Sequence, residues 1–327
     1  MSLPTFGFST TSDEVADALS SEIAGKNVLV TGTSQNGIGF ETARAIAKYA
    51  GLVIITGYNS ERLQLSADAI CKEVPKANVR TVVLDLSSLA AVRKAAEEIN
   101  AYSEPLHVLV HNAAHTSLVY SITVDDIESQ MAVNHVSPFL LTKLLLPKLL
   151  ASASPKWLPR VVVVSSESQG MGPGIDLSAV RKPAPGSAQE TDVLLRYHEA
   201  KSAPVLTALG LAKRGAGKLR AYSLHPGTIF TNVQTKEAVV PALQAIGVLK
   251  EDGQPNLESA FKWKTIPQGA ATTVVAAFDP RLNDKSGSFL EDCVEANEKR
   301  HAVNSDPANA EKLWKVTEEI IGEEFVV

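Results

Sequence analysis

Between residues 27 and 227, short and uniformly apolar runs alternate with longer segments whose apolar positions recur every three or four residues. The runs NVLVT (27–31), LVIITG (52–57), VRTVVLDL (79–86), LHVLVHNAA (106–114), RVVVVSS (160–166) and LRAYSLHPG (219–227) have the length and β-branched content of strands. FETARAIAKYA (40–50), ERLQLSADAICKEV (61–74), LAAVRKAAEEINA (89–101), a region over about 125–150 and LLRYHEAKSAPVLTALGLAKR (194–214) read as helices. Strands that are apolar on both faces suit a parallel sheet held between two helix layers, because a strand with one solvated face would alternate. The pattern therefore predicts an α/β fold, a doubly wound parallel sheet with helices on both faces.

The ends add detail. TTSDEVADALSSEI places Thr11 and Glu14 at capping-box spacing and Val15, Leu19 and Ile23 at helical intervals, so residues 1–24 are expected to form a helical extension. Residues 228–266 break the alternation and are expected to form a lid within a single domain spanning 25–327. In DPANAEKLWKVTEEIIG, Asp306 suits an N-cap, Pro307 the first helical position and Gly322 a stop.

Composition narrows the class. With 327 residues and 45% hydrophobic content, the chain can bury a large core without staples. Two cysteines, Cys71 and Cys293, are too few for a disulfide framework and suit a reducing compartment. A net charge of −5 argues against a nucleic-acid partner. The start, MSLPTFGFSTTSDEV, lacks the basic-then-apolar layout of a signal peptide. The most apolar stretch, PFLLTKLLLPKLL (138–150), is broken by Lys143, Lys148 and two prolines and is too short for a membrane span. A soluble, cytoplasmic protein with a small-molecule substrate is expected. The helix around 125–150 either pairs with its copy in a homodimer or covers the sheet.

Three features carry chemistry. TGTSQNGIG (31–39) sets Gly32, Gly37 and Gly39 between a strand and a helix, where free N–H groups and absent Cβ atoms favour a pyrophosphate. Tyr197 and Lys201 in RYHEAKSA lie four apart on one helix face. A phenol titrates near ~10, and a cation about 4 Å away contributes on the order of 4 kcal/mol at an effective dielectric of ~20, so Lys201 would bring Tyr197 towards neutrality. Ser165 and Ser166 end a parallel strand at the edge where open α/β sheets bind ligands, and alternation turns only one of them into the crevice. The chain holds no G-x-S-x-G elbow, so hydrogen bonding to a substrate carbonyl is a better role for that serine than hydrolysis.

Taken in order, the Gly-rich turn, HNAA after the fourth strand, the Asn of MAVNHVSPF, a serine ending the fifth strand, Y-x-x-x-K and HPG resemble the short-chain dehydrogenases/reductases, whose fold is Rossmann-type. RYHEAKSA, HPGTIFTNV, GSFLEDC and ANAEKLW resemble the retinol-dehydrogenase-like and WW-domain-oxidoreductase-like branch, and the likeness runs over about 25–325. The resemblance implies Tyr197 as acid–base, Lys201 as its electrostatic partner and ribose ligand, Ser166 as the carbonyl-orienting hydroxyl (six positions after Arg160) and Asn134 as the fourth member through a proton-relay water. It further implies a dinucleotide held by Gly32, Gly37, Ile38 and Gly39, with Thr33, Ser34, Asn36, Tyr58 and Asn59 on the adenosine ribose side. Asp85 and Leu86 would flank the adenine, Asn112, Ala113 and Ala114 would line the adenosine, and Pro226, Gly227, Ile229 and Thr231 would close over the nicotinamide.

Three departures stand out. The Gly-rich turn reads G-x-x-x-x-G-x-G, one residue longer than the common variant, so TSQN is expected to bulge outward while Gly37 and Gly39 keep their places. His111 replaces the first Asn of the family's NNAG and is expected to be a packed histidine. The spacing of His107, His111 and His115 is not read as a metal site, because the segment is strand then loop and holds no H-E-x-x-H. TGYNSER after the second strand offers no acid before Glu61, which favours NADP over NAD, with Arg62 as the available cation. The expected activity is an NADP(H)-dependent carbonyl reductase or alcohol dehydrogenase for a lipophilic ketone or aldehyde. The rival is a dinucleotide-binding sensor or scaffold of the same fold. Apolar content in 231–263 and 170–180 suggests the lipophilic pocket.

Overall fold

The computed structural model describes residues 3–116, 119–232, 240–245, 247–259 and 261–327. After α1 (Ser12–Ala18) and α2 (Ser20–Ile23), the chain alternates β1 (Asn27–Thr31), α3 (Ile38–Ala47), β2 (Leu52–Gly57), α4 (Ser60–Glu73), β3 (Val79–Val83), α5 (Leu89–Asn100) and β4 (Val108–His111). A composite helix follows: α6 (Ser129–Met131), a π-turn over Ala132–Val136, and α7 (Ser137–Leu150). Then come β5 (Arg160–Val164), α8 (Ala188–Thr191), α9 (Val193–Arg214), β6 (Arg220–Leu224), β7 (Thr228–Ile229), α10 (Val240–Ala245), β8 (Trp263–Lys264), α11 (Ile266–Phe278), β9 (Phe289–Glu291), β10 (Val294–Glu295), α12 (Ala302–Ser305) and α13 (Pro307–Ile321).

The main sheet runs β10-β9-β6-β5-β4-β1-β2-β3, parallel from β9 to β3, with β10 antiparallel at one edge. Because β3 is followed by a crossover to β4 on the far side of β1, the strand order reverses between β1 and β4. The carboxyl ends part there and leave a crevice. Successive strand residues feed opposite cores: Leu29, Ile54, Val161 and Val163 pack with α5, α7, α9 and α13, whereas Val28, Val30, Val53 and Val162 pack with α1, α3, α4 and α11. The uniform apolarity of these strands thus reflects burial on both faces. Helix α7 covers the sheet, with Leu140, Leu141, Leu145 and Leu149 wholly buried.

The N-terminal extension forms through the expected Thr11–Glu14 capping box, but it breaks at Leu19 into α1 and α2. The C-terminal helix starts at Pro307 behind Asp306 and ends at Gly322 in the left-handed region, φ 74°. Helix α11 and strands β7 to β10 have no counterpart in the sequence reading. Every residue of α11 from Gly269 to Phe278 is buried, so no polar face marks its period. In the expected lid, β7 and β8 pair in parallel as a separate ribbon. Its residues 233–239, 246 and 260 lie outside the described residues.

Arg160, at the start of β5, fastens the sheet to the end of α11. Its guanidinium donates to the carbonyls of Ala276 (3.0 Å) and Asp279 (2.9 Å) and to Asn283 Oδ1 (2.9 Å), while burial lowers its pKa to about 10. A cation at a helix C-terminus is favoured by the helix dipole. Arg160→Met strands these acceptors and is expected to cost about 2–4 kcal/mol, read as a lower urea midpoint with an unchanged slope.

Candidate active site

The crevice is furnished from the carboxyl ends of β1, β2, β4, β5 and β6. At β1, Gly32 takes φ 70° and packs so close to Ala113 that a Cβ would sit 2.6 Å from its Cα. A Cβ on Gly39 would collide with the Asn112 carboxamide and the Gly32 carbonyl. Asn112 locks this approach by donating from Nδ2 to the carbonyls of Thr31 and Gly32, both at 3.0 Å, while Thr31 Oγ1 accepts from the N–H groups of Asn112 (3.1 Å) and Ala113 (3.0 Å). Helix α3 begins behind Gly37 with no side-chain cap. The first-turn N–H groups around Ile38 therefore carry no capping side chain, which leaves them open to an anion such as a pyrophosphate.

The longer turn does bulge. Ser34, Gln35 and Asn36 are exposed, and Asn36 takes the left-handed region at φ 59°. Gln35 is held on two sides: Asn232 Nδ2 donates to its carbonyl at 2.6 Å, and its Nε2 donates to the Leu65 carbonyl at 2.9 Å. Thr33 is buried, with its hydroxyl donating to the Thr56 carbonyl at 3.2 Å. Thr33, Ser34, Tyr58, Asn59 and Arg62 line one hollow at the carboxyl ends of β1 and β2. Asn59 uses its side chain to cap α4 through Arg62 N at 2.9 Å, and Tyr58 is 69% exposed.

Other expected ligands divide by chemistry. Asp85 Oδ1 accepts from Ser87 N and Oγ at 2.9 and 2.6 Å, closing a turn at the strand end. The Leu86 side chain belongs to the core and its carbonyl accepts from Ser137 Oγ. Ala114 follows Ala113 along the same strand exit. Beyond β6, Pro226 is buried, Gly227 takes φ 106°, Ile229 packs in β7 and Thr231 is half-buried. A side chain at Gly227 would run into the stem of Lys264.

Four residues meet at the floor. Ser165 turns inward and donates to the Lys201 carbonyl at 2.6 Å, leaving Ser166 on the crevice side. The Tyr197 hydroxyl is hydrogen-bonded to both Ser166 and Thr116. Lys201 is 2% exposed, with Nζ 3.3 Å from the Val164 carbonyl and 5.9 Å from the centre of the Tyr197 ring. Asn134 sits in the π-turn, a widening of the helix that recurs at functional sites. Its Nδ2 donates to the carbonyls of His115 and Gln130, both at 2.8 Å.

Electrostatics at the floor differ from the simple tuning argument. Burial raises the Tyr197 pKa, opposed by the hydrogen bonds from Thr116 and Ser166, and burial lowers Lys201 to about 8. Burial outweighs the local hydrogen bonds at both groups, which share a poorly solvated floor. Thr116 escaped sequence reasoning because it lies in a loop without a motif of its own. Arg196 also escaped it. Wholly buried beside Tyr197, its guanidinium donates to Glu128 and Glu199 at 2.9 Å each. Its only sequence signal is a Glu three residues on, within an otherwise apolar face. His111 is packed, as expected. Among the described residues no group of three His, Cys, Asp or Glu is placed to hold a metal, and no helix is long and apolar enough to cross a membrane.

The strand order and the crevice at its reversal define a Rossmann-type fold, and known proteins share that fold. The short chain dehydrogenase profile matches residues 26–176. A chloroplastic short-chain dehydrogenase, TIC 32 A of Brassica napus, is 31% identical over 94% of this chain and 92% of its own. The WW domain-containing oxidoreductase of Homo sapiens is 33% identical over 96% of this chain and 72% of its own. The crystal structure of an uncharacterized Mycobacterium paratuberculosis protein superposes with TM-score 0.66 at 26% identity, covering 93% of this chain and 96% of that one. The chain belongs to the short-chain dehydrogenase/reductase family and is an NAD(P)-dependent oxidoreductase.

A folded-state lysine pKa near 8, below the ordinary 10.5, means that the unfolded chain binds more protons between those values, so stability rises with pH through that window. Lys201→Met is therefore expected to be more stable than the parent near pH 7, by up to about 3 kcal/mol. Urea midpoints taken from pH 7 to 10 should show that gap closing as pH rises.

Proposed function

We propose that the protein is an NADP(H)-dependent carbonyl reductase or alcohol dehydrogenase acting on a lipophilic ketone or aldehyde. The observation that carries this reading is the Tyr197 hydroxyl held by Ser166 above a buried Lys201. The bound nicotinamide supplies or accepts hydride. Ser166 orients the substrate carbonyl, and Tyr197 delivers the proton to its oxygen in the reductive direction and takes it back in the oxidative one. Lys201 places positive charge beneath the phenol as it gives up its proton, and Asn134 holds the loop carbonyl of His115 beside the floor. The raised phenol pKa favours the protonated form needed for reduction.

The NADP preference rests on the hollow beside β2. No carboxylate lines it, so nothing there repels a 2′-phosphate, and the exposed Arg62 guanidinium has no hydrogen-bond or ion-pair partner among the described residues. Exposed apolar side chains follow the floor residues along the chain: Met171 comes after the Ser166 loop and Leu194 one turn before Tyr197, 40% and 41% exposed, with Val119 beyond Thr116 at 66%. They support a lipophilic substrate. A cytoplasmic setting rests on the two unpaired cysteines, Cys71 and Cys293.

Tyr197→Phe removes the transferable proton and is expected to lower kcat by about 10²–10⁴-fold with NADPH affinity retained. Cofactor fluorescence and steady-state assays over a carbonyl panel measure both, and a variant as active as the parent overturns the assignment. NADPH binding by the parent without turnover on any carbonyl or alcohol would instead favour a sensor. Arg62→Ala is expected to reduce the NADPH-over-NADH affinity ratio about tenfold, the size of one charge-assisted hydrogen bond. Titration with the two cofactors decides it.

A further inference from the structure

β4, β5, the π-turn, α7 and α9 line a hollow whose polar residues are His111, Asn134, His135, Thr142 and Thr207. Every one of these side chains is buried, at 8% exposure or less. The hydrogen bonds fix which protons they carry. Thr142 Oγ1 donates to the Pro138 carbonyl at 2.8 Å, so its only hydrogen is committed. Its 2.7 Å contact with His111 Nε2 must then be accepted by the hydroxyl, which places the imidazole proton on Nε2. Burial holds this imidazole neutral, its pKa lowered to about 3. His111 Nδ1 is therefore a bare acceptor, buried and without a donor among the described residues. Asn134 is in the same position. Both hydrogens of its Nδ2 go to carbonyls, which settles the orientation of the amide and leaves Oδ1 as a second buried acceptor without a donor among the described residues.

Two unmatched acceptors on one polar hollow require a donor with two hydrogens. Water is the smallest molecule that supplies them, and buried polar groups lacking a protein partner are satisfied in this way. We infer that an ordered water is bound between His111 Nδ1 and Asn134 Oδ1, donating one hydrogen to each, and that His111 is through it a positioning residue for Asn134. The role of Asn134 in the reaction rests on the proposed oxidoreductase reading; the water site does not. This gives the replacement of Asn by His at this strand end a function: an imidazole accepting at Nδ1 reaches the hollow while Nε2 anchors the ring to α7. His135 donates from Nε2 to Thr317 Oγ1 at 2.8 Å, whose own hydrogen goes to the Leu313 carbonyl, and the Thr207 hydroxyl lies between His135 Nδ1 (3.2 Å) and the Ala203 carbonyl (3.0 Å) with one hydrogen for the two.

A crystal structure of the NADPH-bound protein at a resolution that orders single waters tests the site directly. The expected result is one water within hydrogen-bond distance of both His111 Nδ1 and Asn134 Oδ1, lost in His111→Leu, where the Asn134 carboxamide turns. A dry hollow in the parent, or a protein donor on either acceptor, overturns the inference. For the positioning role, His111→Leu should lower kcat about fivefold or more with NADPH affinity unchanged, and His111→Asn, which retains a side-chain acceptor, should recover most of it. Unchanged kcat in a folded His111→Leu variant overturns that role. If Tyr197→Phe is as active as the parent, the oxidoreductase assignment of the floor fails, while diffraction still decides the water.

Discussion

One buried guanidinium sets the relative positions of the parts of the floor. Arg196 lies beside Tyr197 on α9 and donates to Glu128 and Glu199, and its third nitrogen faces the Val180 carbonyl at 3.3 Å. Each partner belongs to a different part of the site. Glu128 caps α6 by accepting from the N–H groups of Gln130 and Met131, and so starts the turn that carries Asn134. Glu199 accepts from Asp176 N and so ties down the loop that follows Ser166. Two carboxylates and one cation with side-chain exposures of 1% or less are costly to desolvate, and replacing such a group with apolar residues is often neutral or better. What hydrocarbon would not supply here is direction. The fork of Arg196 fixes the distance and angle among three segments that share no strand register.

Desolvation sets the electrostatics in the same region. Burial lowers Lys201 to about 8, raises Tyr197 and lowers His111 and His225, the last to about 4. All four shifts favour the neutral form, as expected where low-dielectric packing outweighs local charge pairs. A site of this kind holds few standing charges, so charge that develops during a proton transfer is met by oriented hydroxyls, carbonyls and one nearby ammonium. The same burial explains why the floor is supported by neutral hydrogen bonds such as Ser165 to the Lys201 carbonyl.

Much of this was legible in the sequence because the parallel sheet is buried on both faces. The runs of β1, β2, β4 and β5 are apolar nearly throughout for that reason, and β1 and β2 begin and end where the pattern places them. Glycine positions, the Tyr197–Lys201 spacing and the caps at Thr11 and Asp306 are local signals, readable without tertiary contacts. What was missed depends on contacts across the fold. Helix α11 is apolar all round because the sheet lies on one side and α1 and α3 on the other, which erases its period. β3 stops at Val83 because the Asp85 turn takes over the backbone. The π-turn at Asn134 and the hydroxyl partner Thr116 arise from packing that spacing alone does not encode. The expectation that Lys201 depresses Tyr197 is opposed by burial, which raises the phenol, because the sequence supplied a separation along a helix and not the degree of desolvation.

The lengthened Gly-rich turn shows how such a departure is absorbed without losing the site. Gly37 and Gly39 must stay at the start of α3, since the Asn112 clamp on Gly32 and the close approach at Gly39 leave no room for a shift. The added length can then go only outward. Asn36 supplies the reversal by entering the left-handed region, which Asn tolerates better than most residues. An outward loop exposes peptide groups that need partners, and Gln35 meets this by bonding Asn232 with its carbonyl and Leu65 with its side chain. The bulge therefore touches both the segment that follows β7 and the helix that follows β2. An insertion that merely hung in solvent would leave the crevice walls independent. This one links them, so the same residues that depart from the family pattern also brace the place where the adenosine end of a dinucleotide would lie.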